Sequence, residues 1–188
     1  MMLRRFTAAL ATVTFAVACT ACSGNNPKPP PFTPSVPSQS ATPTPSAEGV
    51  AVEAASSAYR KFVAATDITG ASGGTDTAEL RKHASGVMLA SELNQAETFR
   101  GKKWHSVGRQ QVMWVKSLKV ELPDATGAIT SLTLQACVDS SKATAVDAQG
   151  KSVKLPGTPP QTIDEMRMRY LEGSWKADKP LSRKAGRC

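Results

Sequence analysis

Residues 111–120 read QVMWVKSLKV and residues 131–139 read SLTLQACVD, and these two stretches decide the fold. In the second, Leu132, Leu134, Ala136 and Val138 alternate with polar neighbours, which sets Cys137 on the opposite face. In the first, Val112, Trp114, Leu118, Val120 and Leu122 follow the same period up to the break at Pro123, with Lys116 as an interruption that suggests a bulge or an early end to burial. Upstream the period is different. Ala51, Ala54, Ala55, Ala58, Tyr59, Phe62 and Val63 lie at helical spacing and predict a helix over residues 50–66 with one core-facing stripe.

Outward from this switch near Gly108, the remaining elements fall on either side. Gly70-Ala71-Ser72-Gly73-Gly74 ends the first helix. Asp76 with Glu79 three residues on marks the start of a second, which runs or restarts towards Phe99 and stops at Gly101. Downstream, Val146 and Val153 flank a turn at Asp147-Ala148-Gln149-Gly150. Met166, Met168 and Tyr170 lead into the turn Glu172-Gly173-Ser174 and a last strand from Trp175. Helices first and antiparallel strands after them is the order of an α+β domain. Tyr59 and Phe62 are expected to pack on Trp114, Leu118, Leu134, Val138 and Met168 of that sheet.

The organisation of the chain is threefold. Residues 1–22 carry Arg4-Arg5, an uncharged apolar run from Phe6 to Ala18, and small residues around two cysteines, the pattern of a secretory signal. The run is shorter than the roughly 20 residues a membrane span needs. A cysteine at the cleavage site resembles a bacterial lipoprotein signal, with acylation at Cys19 or, alternatively, Cys22. Residues 23–47 are rich in Pro, Ser and Thr, have little to bury, and are expected to form an extended, disordered stalk on the order of 50–75 Å long. Residues 48–188 make one domain of a size that supports a real core.

The formal charge is +8, and Arg4, Arg5 and Lys28 lie before the domain, which leaves it at about +5. The cations are dispersed as short pairs with few aromatics, a pattern that argues against nucleic acid. A plain solvated basic surface is the first reading, and anionic lipid headgroups, anionic wall polymers or an envelope protein are the candidate partners. Downstream of the signal only Cys137 and Cys188 remain, and in an oxidising space they read as a disulfide. His83 and His105 do not lie at ligand spacing from either cysteine, so no metal and no cofactor is expected.

Candidates for chemistry are few. Ser72 sits in a Gly-x-Ser-x-Gly match, but a nucleophile elbow needs a strand before it and a parallel sheet, so an interhelical loop is the reading. His83, on the second helix, and His105, in a loop, are candidate bases weighed against exposed or edge-packed histidines. Asp139 shares the face of Cys137 and is expected to point outward or to cap a turn. Trp114, Met166, Met168, Tyr170 and Trp175 are the candidates for a pocket wall, with simple core as the competing role.

The order of elements, with Ala136-Cys137-Val138-Asp139, Val146 to Lys151, Gly173-Ser174-Trp175-Lys176 and Cys188, resembles actinobacterial lipoproteins with an NTF2-like (SnoaL-like) domain. The resemblance implies a cone, in which a curved antiparallel sheet wraps the helices around an apolar pocket. It also implies a lipid-anchored, extracytoplasmic protein on the cell membrane. The expected role is a non-catalytic binding or scaffolding module of the envelope that takes an envelope partner or a small apolar ligand. The alternative is a SnoaL-like enzyme acting on a small organic substrate in the cone, and oligomeric state is left open.

Overall fold

A computed structural model describes residues 46–188, and the signal, Cys19, Cys22 and the stalk up to residue 45 lie outside the described residues. Helix α1 spans Ala47–Ala71, longer at both ends than its apolar stripe, because Ser46 caps it. The Ser46 hydroxyl oxygen accepts from the Gly49 amide at 3.0 Å. Its buried face carries Ala55, Tyr59, Phe62 and Val63.

The glycine-rich segment after α1 is a bonded turn rather than a flexible loop. Ser72 donates to the Thr69 carbonyl and accepts from the Asp76 amide, both at 2.9 Å. Gly74 has φ +81°, and a Cβ there would overlap the Ala96 carbonyl of a neighbouring helix. Gly74→Ala is therefore expected to cost about 2–4 kcal/mol in urea unfolding, from left-handed backbone strain and the overlap together. A cost below 1 kcal/mol would show that the turn relaxes freely.

The second helical region breaks in two. Helix α2 spans Ala78–His83, with Asp76 accepting from the Ala78 amide, and helix α3 spans Gly86–Lys102. The break falls at Ala84, which bridges Ala177 of the last strand, while the Ser85 amide donates to the Ala177 carbonyl at 2.8 Å. Tertiary pairing wins over helix continuity there.

Strands β2 (Gln111–Val120), β3 (Ser131–Asp139), β5 (Gln161–Leu171) and β6 (Ser174–Ala185) form an antiparallel sheet in the order β2-β3-β5-β6. A smaller sheet pairs β1 (His105–Gly108) with β4 (Ala143–Val146). The core lies between the helices and the inner face of the large sheet: Leu132, Leu134, Ala136 and Val138 from β3, Met166 and Met168 from β5, Trp175 and Ala177 from β6. Leu132, Leu134, Met166 and Met168 are each 0–2 % exposed, and each such burial contributes about 1.5–3 kcal/mol.

Strand β2 departs from its sequence reading. Its register with β3 shifts between Val112 and Trp114 and again between Ser117 and Lys119. Each bulge adds one residue, so each reverses the faces that follow. Val112, Val115 and Val120 pack against the core. Trp114 instead pairs with Cys137 on the outer face, and Leu118, in the second bulge, is 48 % exposed. Neither reaches beneath the helices as their alternation predicts.

Cys137 and Cys188 are joined as a disulfide with Cα atoms 5.6 Å apart. Cys137 faces away from the helices yet is fully buried, since the C-terminal segment folds over it. The Gly186 amide donates to the Gln161 carbonyl, and the Cys188 amide to Gln161 Oε1 at 3.1 Å. A Cβ on Gly186 would collide with the Ile163 side chain, so the tail lies directly on the outer face.

Candidate functional site

A cavity of about 270 Å³ opens where α1 and α3 diverge from the β3–β5–β6 side of the sheet, with β4 and the loop after it closing another side. One part of its wall is apolar: Phe62 and Val63 from α1, Phe99 from α3, Val138 from β3. The other is polar, with Asp67, Glu92, Asp164 and Arg183 as its charged groups together with Lys154 of the β4–β5 loop.

Asp164 and Arg183 are cross-strand partners on β5 and β6, and both point inward. Asp164 occupies the same alternation phase as Met166 and Met168, so a carboxylate stands where the strand otherwise buries thioethers. It is 2 % exposed. Arg183 satisfies it through two parallel bonds, Nε to Oδ1 and Nη2 to Oδ2, each 2.7 Å. The fully buried Tyr59 of α1 donates its hydroxyl to Oδ2 at 3.0 Å. Burial, and then the neighbouring Asp164 carboxylate, push the Tyr59 hydroxyl well above the ordinary phenol range. The bonds to Asp164 hold the Arg183 guanidinium still more firmly protonated. Because the Arg183 side chain is 62 % exposed, the far side of its guanidinium is available to the cavity and to solvent.

Glu92 of α3 faces this pair across the cavity. Burial raises its carboxyl above the usual range, and the charge of Arg183 draws it partly back. At the other end of the wall, Asp67 is committed: it accepts from the Gln110 amide at 3.0 Å and from Gln110 Nε2 at 3.1 Å. This holds the start of β2 against α1. Asp164 and Asp67 thus each accept hydrogen bonds on both oxygens, while Glu92 and Lys154 make no ion pair within 4 Å among the described residues.

The residues singled out from sequence are placed elsewhere. Met166 and Met168 are core, Trp114 stands on the outer face beside Lys116, and Tyr170 is 44 % exposed at the sheet margin, edge-on to the buried Trp175. The wall of this cavity includes none of them. Alternation alone put Trp114 inside, and the first β2 bulge put it out. His83 lies against Glu79 at 3.5 Å on α2, with burial lowering its imidazole below the usual range. His105 is exposed on β1, in a strand rather than a loop. Asp139 caps the turn after β3: the Ser141 amide donates to Oδ1 at 2.7 Å and holds the carboxyl below its ordinary range. The signal for Asp164 and Arg183 was present in the sequence, as one acid and one base on the apolar phases of two strands.

No family model and no curated protein matches the chain. Among solved structures it is similar to the crystal structure of the intermembrane space region of the chloroplast protein ARC6, at 14 % identity and a TM-score of 0.51. That match covers 72 % of this chain and 97 % of the other. The two share a fold. A solution structure of a de novo designed β-sheet protein aligns at 15 % identity and a TM-score of 0.36, over 71 % of this chain and 92 % of its own. Among the described residues no group of three His, Cys, Asp or Glu side chains is placed to hold a metal ion, and no helix is long and apolar enough to cross a membrane.

Proposed function

We propose that this is an extracytoplasmic, lipid-anchored envelope protein whose NTF2-like domain binds a small amphipathic organic molecule without transforming it. The observation that carries the reading is the cavity, apolar along α1 and α3 and polar along β5 and β6, with its buried Asp164 already bound by Arg183 and Tyr59. A carboxylate so engaged fixes the wall, with three of its acceptor sites taken by Arg183 and Tyr59. Helices on one face of an antiparallel sheet support the NTF2-like reading. The lipid anchor, on Cys19 or Cys22, and the Pro-rich stalk rest on the sequence pattern. The ligand is one with a ring or short chain for Phe62 and Phe99 and a hydrogen-bond donor for Glu92.

The SnoaL-like enzyme is the second reading, favoured by one observation: Glu92, raised by burial, faces the Asp164–Arg183 pair with no bonded partner among the described residues. A panel of single-ring amines, alcohols and acids separates the two. Saturable binding followed by calorimetry, with every compound recovered unchanged, supports a binding module; product formation by the mature protein supports the enzyme.

Glu92 gives a pH signature independent of any ligand. Its carboxyl is raised in the folded state, so ionising it disfavours folding. Stability is fully present below the ordinary carboxyl range and is lost as pH rises through the raised Glu92 value. Glu92→Gln is expected to flatten that part of the stability–pH curve and to leave the variant the more stable of the two at neutral pH. A parallel pair of curves would show that Glu92 is fully hydrated.

A further inference from the structure

We propose that the outer face of the four-stranded sheet is a docking surface for an anionic lipid bilayer. The strand register sends Lys116 and Lys119 of β2, Arg167 and Arg169 of β5, and Lys176, Lys179 and Lys184 of β6 to this face, with Glu165 as its interior acid. Three of the cations have acidic partners: Lys119 with Glu121, Arg167 with Asp178, Lys176 with Glu172. Lys116, Arg169, Lys179 and Lys184 have none within 4 Å among the described residues. Arg169 and Lys179 are exposed, as is Lys116.

Three observations select a bilayer over a linear polyanion. The cations lie on three of the four strands, β2, β5 and β6, and so reach from one edge of the sheet to the other, about 14 Å at the usual strand spacing; they form an area rather than a track. Trp114 lies on the same face with the Lys116 ammonium 5.2 Å from its ring, the pairing of an aromatic with a cation that suits the headgroup level. Met113 and Leu118, the residues displaced by the two β2 bulges, are 51 % and 48 % exposed along the same margin and offer shallow apolar contact. The C-terminal tail covers the Cys137–Ile163 end of the face, where Lys184 lies and which Trp114 borders, and leaves the Lys119–Arg167–Lys179 end open. Anionic headgroups attract such a patch within a Debye length. The inference is independent of the cavity and of what it binds.

Lysine acetylation footprinting of the mature protein, read by mass spectrometry, tests it even when an acyl chain tethers the protein to every vesicle. On phosphatidylglycerol vesicles at low salt, Lys116, Lys119 and Lys179 are expected to react about fivefold more slowly than on phosphatidylcholine vesicles. Lys102 and Lys151, on other surfaces, are expected to keep their rates. Raising salt to about 0.5 M removes the protection, and Arg169→Glu with Lys179→Glu removes it from Lys116 and Lys119. Equal rates on the two vesicle types would overturn the proposal. So would uniform protection of all five lysines, or equal protection by soluble polyphosphate at the same phosphate concentration, which would assign the face to a linear polymer.

Discussion

Arg183→Ala is expected to destabilise the domain by about 3–5 kcal/mol, the cost of breaking one side of a buried ion pair. The effect should exceed that of changing its partner. Asp164 is 2 % exposed and keeps only the Tyr59 hydroxyl once the guanidinium is gone, so a carboxylate is stranded in the wall beside Glu92. In the reverse case Asp164→Asn keeps an acceptor for Tyr59, and Arg183, already largely in solvent, rehydrates. Its cost is expected at about 1–2 kcal/mol. Replacing both residues with leucine should recover part of the larger loss, because the stranded Asp164 charge is gone, although the buried Tyr59 hydroxyl then lacks its acceptor. Urea unfolding of the three variants checks the order. If Arg183→Ala costs less than 1 kcal/mol, the pair is screened like a surface bridge and the wall is wetter than its geometry implies.

The second large effect is expected at the disulfide. Cys188→Ser opens a closure of 51 residues, for which loop entropy gives about 4 kcal/mol as an upper figure. A local effect accompanies the global one. The tail and the last pairs of β6, Thr162 with Ala185 and Ile163 with Lys184, stand next to the Asp164–Arg183 pair. Hydrogen exchange in Cys188→Ser should therefore rise first over residues 183–187 and their β5 partners, and only later in β3. A loss spread evenly over the sheet would mean that the cross-link acts on the unfolded chain alone.

Much of the architecture was legible, and the reasons it stopped being legible are specific. Strand β3 is central, pairs on both edges and has no bulge, so its alternation translates directly into faces. Strand β2 is an edge strand that tolerates two extra residues, and a period of two carries no memory of phase across a bulge. Trp114 and Leu118 were misplaced for that reason alone. The break between α2 and α3 depends on a bridge from Ala84 to Ala177, some ninety residues away, which no local pattern encodes. The cavity was less legible still. Its wall draws on both sheets and two helices, and its decisive pair, Asp164 with Arg183, looks in isolation like two ordinary polar positions. Only the matching of their phases on adjacent strands marks them. The aromatic and methionine residues that suggested a pocket are what the apolar interior itself requires, except Trp114 on the outer face and Tyr170 at the sheet margin.

The bond from Cys137 to Cys188 has a topological consequence. With the backbone between them it closes a covalent ring that contains β4, β5, β6 and the exposed turns that join them. One peptide bond cut anywhere in that ring opens it into a linear piece still attached at both ends of the break. The molecule stays whole, and a protease must cut twice to carry any part of β5 or β6 away.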